Sequence, residues 1–84
     1  MKRIVIYTRF LCSYCHRAKA LLKARGAEFE EHDISFDRAR RAEMVARSNG
    51  RTTVPQIFIG DLHVGGSDEL AALDAEGRLE ALLA

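Results

Sequence analysis

The sequence predicts an α/β fold in which a mixed β-sheet is covered by helices on both faces. Continuous apolar runs at residues 3–8 and 55–59 are typical of strands buried at the centre of a sheet. Two stretches between these runs place apolar residues at helical spacing, which predicts helices. The second run leads through Gly60-Asp61 into a short partner, which predicts a hairpin. A strand–helix–strand unit pairs in parallel and a hairpin pairs antiparallel, so the sheet has four strands and is mixed.

The first half of the chain supplies the strand–helix–strand unit. A buried strand over residues 3–8 precedes a helix from Ser13 to about Arg25, for which Gly26 suits the C-terminal cap. The apolar positions that we expect this helix to bury are Cys15, Ala18, Leu21 and Leu22. A weaker, peripheral strand follows over residues 28–34, anchored by Phe29 and Ile34.

The second half supplies another helix, the hairpin and two C-terminal helical segments. A helix over residues 37–47 ends at Ser48-Asn49-Gly50, and we expect it to turn Ala42, Val45 and Ala46 inward. After the hairpin, Gly65-Gly66 interrupts the chain and Ser67 begins a third helix. The apolar residues of the C-terminal segments are Leu70 and Leu73, then, after Gly77, Leu79, Leu82 and Leu83.

Composition limits the classes of function. Eighty-four residues with 48% hydrophobic content predict one domain over residues 1–84, and a net charge of +1 argues against a globally basic nucleic-acid binder. Neither a signal peptide nor an apolar run of membrane-spanning length is visible, so we expect a cytoplasmic protein with no membrane or nucleic-acid partner. Five basic and no acidic residues lie from Arg9 to Arg25, whereas five acidic residues and no lysine or arginine lie from Glu28 to Asp37. The basic block surrounds both cysteines and would attract an anionic substrate.

Both cysteines lie in one motif, Cys12-Ser13-Tyr14-Cys15, at the start of the first predicted helix. Cysteines three positions apart close too small a loop to stabilise a fold, which leaves chemistry or metal binding as the reason for the pair. At the helix N-cap, Cys12 meets unpaired N–H groups and the positive end of the helix dipole, which favour a thiolate. Cys15 lies one turn further in and is expected to keep its proton. We therefore predict a redox dithiol with Cys12 as nucleophile and Cys15 as resolving thiol.

Metal and haem binding are the alternatives for these cysteines. One Cys-x-x-Cys pair supplies two of the four ligands that zinc prefers, so His16, His32 or His63 would have to complete the site. Cys12 to His16 also matches the C-x-x-C-H pattern of covalent haem attachment. That attachment takes place outside the cytosol, and a haem would displace much of so small a core. We expect no bound metal, and His16 is predicted to face solvent.

Three separated segments then carry a family resemblance. The first contains Tyr7-Thr8-Arg9 and Cys12-Ser13-Tyr14-Cys15-His16-Arg17-Ala18-Lys19-Ala20-Leu21-Leu22. The second is Arg51-Thr52-Thr53-Val54-Pro55-Gln56-Ile57-Phe58-Ile59, and the third is Gly65-Gly66-Ser67-Asp68-Glu69-Leu70. In this order they resemble a dithiol glutaredoxin of the thioredoxin-like superfamily over essentially the whole chain. The resemblance implies a thioredoxin-like fold, glutathione as cosubstrate without a tightly bound cofactor, and glutathionylated or disulfide-bonded proteins as substrates of a monomer. One position departs from the family, because Ser13 stands where these proteins usually carry proline.

The resemblance also implies a glutathione groove beside the dithiol. Val54–Pro55 should be a cis peptide that presents the Val54 backbone to glutathione as to an added strand, flanked by Thr53 and Gln56. The ring of Tyr14 should edge the groove. Backbone N–H groups of Ser67 and Asp68, after the flexible Gly66, should bind the γ-glutamyl carboxylate, and the Asp68 side chain should bind the ammonium.

Arginines complete the predicted site. By its nearness in sequence, Arg9 is expected to add positive charge beside Cys12. Arg51 or Arg47 is expected to hold the other end of glutathione.

Two other activities stay open at this level. Some glutaredoxins with a residue other than proline at the Ser13 position resemble carriers in which a [2Fe–2S] cluster, ligated by glutathione, bridges two subunits. A thioredoxin-like reductase that does not need glutathione is the other candidate. The chain lacks the tryptophan and Gly-Pro that such an active site normally shows, and its predicted anion-binding groove argues against that activity.

Overall fold

The computed structural model of the chain describes residues 2–84 and contains four strands and four helices within that range. The elements are, in order, β1 (Ile4–Thr8), α1 (Ser13–Ala24), β2 (Glu30–Asp33), α2 (Arg38–Arg47), β3 (Gln56–Ile59), β4 (Leu62–Gly65), α3 (Ser67–Ala75) and α4 (Leu79–Leu83). Each predicted element is present, with ends that shift by a few residues. No helix among residues 2–84 has the length and apolar composition needed to cross a membrane.

The sheet is mixed, as predicted, with the strand order β2-β1-β3-β4. β1 pairs in parallel with β2 and antiparallel with β3, and β3 pairs antiparallel with β4. Every residue of β1 and β3 is buried, which explains why these two strands are apolar on both faces rather than alternating, with Thr8 and Gln56 as their buried polar residues. β2 is mostly exposed at one edge of the sheet, which agrees with the peripheral position predicted for it.

The core consists of two layers, one on each face of the sheet. On one face, Ile4, Ile6, Ile57 and Ile59 pack with α1, α3 and α4, whose buried side chains are Ala18, Leu22, Leu70, Leu79 and Leu83. On the other face, Val5, Tyr7 and Phe58 pack with Ile34 and with Met44 of α2. Because successive strand residues point to opposite faces, β1 and β3 supply both layers. Helices therefore cover both faces, as predicted.

The predicted inward face of α2 was partly wrong. Met44 is fully buried, and Val45 packs at the edge of the core, but Ala42 and Ala46 are exposed. Burial of one long methionine side chain removes far more apolar surface from water than burial of an alanine methyl group, so Met44 sets the rotation of the helix. The start of the helix is as predicted, since the Asp37 carboxylate caps it by accepting from the Arg40 N–H at 3.0 Å.

Candidate active site

The loop between β1 and α1 places Cys12 at the N-cap of α1. Its backbone is extended, and its partly exposed Sγ accepts a hydrogen bond from the Cys15 N–H at 3.2 Å. The Cys12 carbonyl accepts the first helical bond from His16 at 3.1 Å. The sulfur therefore occupies the place of the side-chain oxygen in an ordinary N-cap, next to the positive end of the helix dipole. His16 is exposed, as predicted.

Cys15 lies one turn further along α1 and is 2% exposed. Burial, and after it the hydrogen bond and the charge interaction with Cys12, raise the pKa of the Cys15 thiol to about 12, although a backbone N–H of Arg9 and the charge of Lys19 act to lower it. Cys15 is therefore a neutral thiol at physiological pH. Both cysteines are free in this structure, so it represents the dithiol form.

A groove of about 220 Å³ lies beside the start of α1. Its lining residues are Tyr14 from α1, Thr53, Val54 and Pro55 from the segment before β3, Gly66, Ser67, Asp68 and Glu69 around the start of α3, and Arg51. Seven of the nine residues predicted to contact glutathione thus line one surface. The Val54–Pro55 peptide is cis, as the resemblance implied.

The other two predicted residues, Gln56 and Arg9, lie outside the lining of the groove. Gln56 is fully buried; its Nε2 donates to the Thr53 carbonyl at 3.0 Å and to Thr53 Oγ1 at 3.2 Å, while its Oε1 lies 2.7 Å from His63 Nε2. Burial lowers the pKa of His63, so its neutral ring donates through Nε2. Gln56 thus holds the segment that lines the groove. Arg9 is exposed in the β1–α1 loop, and its role beside Cys12 stays a prediction.

Glu69 and Arg51 meet at the end of the groove. The sequence predicted no role for Glu69 and indicated Arg51 only as one of two candidates. Glu69 Oε1 accepts from the Gly66 N–H at 2.9 Å and from Arg51 Nη1 at 3.0 Å. The Gly66 N–H is the main cause that holds the pKa of the Glu69 carboxyl below its usual range. A glutamate three positions after the cap residue is a known helix-start pattern, so Gly66-x-x-Glu69 was the available signal.

Arg47, proposed as an alternative to Arg51, is not in the groove. Its guanidinium lies 4.1 Å from the centre of the Phe58 ring and donates to the Tyr7 hydroxyl at 3.0 Å, on the α2 face of the sheet. Arg47 also lines a larger cavity of about 540 Å³ on that face. Apart from Arg47, no residue predicted to contact glutathione lines this cavity, so the groove beside α1 is the candidate glutathione site.

Comparisons with known proteins agree with this geometry. The Glutaredoxin family profile matches residues 4–64. Glutaredoxin 3 from Escherichia coli K12 is 57% identical over 83 residues, which cover 99% of this chain and 99% of that protein.

Solved structures extend the match to the fold. The solution structure of glutaredoxin from Brucella melitensis has 58% identity and a TM-score of 0.86 over 99% of this chain and 89% of the other. The crystal structure of a buckwheat glutaredoxin–glutathione complex has 29% identity and a TM-score of 0.87 over 98% of this chain and 76% of the other. With this thioredoxin-like fold and its dithiol, the chain belongs to the glutaredoxin family of thiol–disulfide oxidoreductases.

Proposed function

We propose that this protein uses glutathione to reduce glutathione mixed disulfides and protein disulfides, with Cys12 as the nucleophile and Cys15 as the resolving thiol. The difference between the two sulfurs carries the proposal. Cys12 Sγ is partly exposed and accepts an N–H at a helix start, which stabilises negative charge on it. Cys15 is buried, and the pKa of its thiol is about 12.

Reduction of a mixed disulfide needs Cys12 alone. The Cys12 thiolate attacks the glutathione sulfur, a Cys12–glutathione disulfide forms, and the protein thiolate leaves and takes a proton from water. A second glutathione thiolate attacks the glutathione sulfur of this adduct. Oxidised glutathione leaves, and the Cys12 thiolate is restored.

Reduction of a protein disulfide also needs Cys15. The Cys12 thiolate attacks one substrate sulfur, forms a mixed disulfide with it and expels the other substrate sulfur as a thiolate, which takes a proton from water. Cys15 then loses its proton to water and attacks Cys12 Sγ. A Cys12–Cys15 disulfide forms, and the substrate sulfur that was bound to Cys12 leaves as a thiolate. Two of the causes that raise the pKa of Cys15 come from Cys12, namely its hydrogen bond and its charge. Both are removed once Cys12 is in a disulfide, so Cys15 ionises more easily at the step that requires it. Two glutathiones then reduce the Cys12–Cys15 disulfide.

The groove offers complementary groups for glutathione. The first N–H groups of α3, at Ser67 and Asp68, suit the γ-glutamyl carboxylate, and the exposed Asp68 carboxylate suits the neighbouring ammonium. The Val54 backbone suits the peptide portion, and Tyr14 covers the edge nearest Cys12. The buckwheat glutaredoxin was solved as a glutathione complex, which supports glutathione as the ligand.

Two serine variants test the division of roles. We expect Cys12→Ser to abolish reduction of both substrate types, because no other residue attacks. Cys15→Ser should retain reduction of a small glutathione mixed disulfide and lose most reduction of a protein disulfide. Steady-state rates with each substrate measure both effects. Residual turnover in Cys12→Ser, or equal loss of both activities in Cys15→Ser, would contradict the assignment.

The cluster-bridged dimer stays an alternative, which Ser13 motivates. Ser13 is exposed at the first position of α1, where it keeps a backbone N–H that proline lacks. Anaerobic reconstitution with iron, sulfide and glutathione discriminates the two: a brown dimer would support the carrier, and a colourless monomer would not. The monomeric state and the cytoplasmic location also stay predictions.

A further inference from the structure

Three large apolar side chains near Cys12 are exposed. Phe10, Leu11 and Phe36 are 68%, 88% and 99% exposed. Phe10 and Leu11 lie between β1 and Cys12, and Phe36 follows β2. Since β1 and β2 are parallel, both loops leave the same edge of the sheet. We call Phe10, Leu11 and Phe36 the apolar rim.

The backbone around the rim is held in place rather than loose. The Phe10 N–H donates to Ser35 Oγ at 2.7 Å, and the Ser35 N–H donates to Asp33 Oδ1 at 2.8 Å, which joins the two loops. Leu11 has a φ of 55°, a left-handed conformation that glycine or asparagine adopts more readily than leucine. An exposed leucine in this conformation, directly before the nucleophile, adds nothing to the stability of the fold. A role in contacting another molecule explains it.

The charges around the rim are mixed, with a small positive excess. Arg9, Arg17 and Arg38 have no ion-pair partner among residues 2–84. Asp33 accepts from the Ser35 N–H and Asp37 from the Arg40 N–H, and these backbone hydrogen bonds do not cancel the negative charge of a carboxylate. The arginines outnumber the aspartates by one, so the rim combines apolar surface with a weak net attraction for carboxylates.

We propose that the apolar rim docks protein substrates whose reactive cysteine is flanked by large apolar residues and, beyond them, by carboxylates. This inference rests on the proposed function, because docking matters only if it delivers a sulfur to Cys12. The sheet order supports it: the rim follows β1 and β2, whereas the groove is built around the start of β3 and around α3, so Cys12 lies between them. Glutathione and the protein part of a mixed disulfide thus have separate surfaces.

Three glutathionylated peptides test the proposal. The first carries phenylalanine and leucine beside the cysteine with glutamates outside them; the second replaces the two apolar residues by serine; the third replaces the glutamates by lysine. We expect kcat/KM for the first to exceed that for the second by about tenfold, the low end of what an apolar contact contributes. The preference over the third should be severalfold at low salt and disappear at high salt.

Variants connect this preference to the rim. In a triple variant, Phe10→Ser, Leu11→Asn and Phe36→Ser, the three peptides should react at similar rates, while the mixed disulfide of glutathione and cysteamine reacts as in the unmodified protein. Asparagine tolerates the left-handed conformation at position 11. Leu62→Ser is the matched control, because Leu62 is 45% exposed on the far edge strand, and it should keep the preference.

A nuclear magnetic resonance titration separates docking from catalysis. A peptide with serine in place of cysteine should shift the amide signals of residues 10, 11 and 36 in the unmodified protein. The proposal would be overturned if the amide signals of these residues did not shift. It would also be overturned if the protein did not prefer the apolar peptide, or if the triple variant kept that preference. So would a rim-dependent dimer of the protein itself, or binding to anionic phospholipid vesicles without peptide preference. Failure to reduce the cysteamine disulfide would count against the proposed function. The titration would still show whether the apolar rim binds the peptide.

Discussion

Replacement of Gly65 by alanine tests how the end of the glutathione groove is built. Gly65 has a φ of +111°, and a Cβ added there would lie 2.4 Å from Glu69 Oε1 and 3.0 Å from Arg51 Nη1. The carboxylate and the guanidinium must therefore move. Because Glu69 Oε1 also accepts from the Gly66 N–H at 2.9 Å, their movement disturbs the start of α3, where we place the γ-glutamyl carboxylate.

The free energy of unfolding should fall by about 1.5–4 kcal/mol. The backbone conformation costs an alanine on the order of 1–3 kcal/mol. Loss of the exposed hydrogen bond between Glu69 and Gly66 adds about 0.5–1 kcal/mol, because water replaces the partner. Gly77→Ala is the matched control: its φ is +72°, and an added Cβ meets nothing within 4 Å. It should cost only the backbone part, about 1–2 kcal/mol.

Urea unfolding followed by circular dichroism measures the free energy of unfolding, and steady-state kinetics measures the KM for glutathione. We expect Gly65→Ala to raise KM for glutathione severalfold, whereas Gly77→Ala leaves it unchanged. Equal loss of stability in the two variants, with KM unchanged in both, would refute the idea that the contacts of Gly65 shape the groove.

Three further predictions concern the groove and the dithiol. Gln56→Ala should lower the free energy of unfolding, measured in urea, by about 1–3 kcal/mol, because Thr53 and His63 lose a buried hydrogen-bond partner. The same variant should raise the KM for glutathione. Asp68→Asn should raise KM about tenfold for glutathione but not for N-acetylglutathione, which has no ammonium; an equal rise for both would remove Asp68 from that role. Because the pKa of Cys15 is raised from 9.0 to about 12 in the folded protein, the unfolded chain loses that proton first. Stability should therefore fall as pH rises through this window, by up to about 1.4 kcal/mol per pH unit, and less steeply in Cys15→Ser.

The sequence predicted those features that depend on local pattern. Strands buried at the centre of a sheet are mostly apolar on both faces, so β1 and β3 could be predicted without any knowledge of their partners. A helix start is marked by the residue that caps it, which is why Cys12 could be placed at the N-cap of α1. The resemblance supplied the cis peptide at Val54–Pro55, which local pattern alone does not predict.

Features that depend on contacts between distant residues were not predictable. The partner of Gln56 is His63, on the next strand, and only the fold shows that these two side chains meet. Likewise, Arg47 and Arg51 look equivalent in the sequence, but α2 ends between them. Arg47 therefore packs on the Phe58 ring, whereas Arg51 donates to Glu69. The rotation of α2 was uncertain because the helix has few apolar residues, so one side chain, Met44, decides it.

Separate surfaces for glutathione and for the protein part of a substrate predict that their contributions are independent. None of the rim residues lines the groove, and the strand order puts Cys12 between the two surfaces. Free energies from sites that share no partner usually add, so their effects on kcat/KM multiply. We therefore expect Asp68→Asn combined with the triple rim variant to lose kcat/KM for the apolar glutathionylated peptide by the product of the two separate losses. A loss equal to the larger one alone would show that rim and groove act as one site, and that a glutathionylated protein is bound as a single unit.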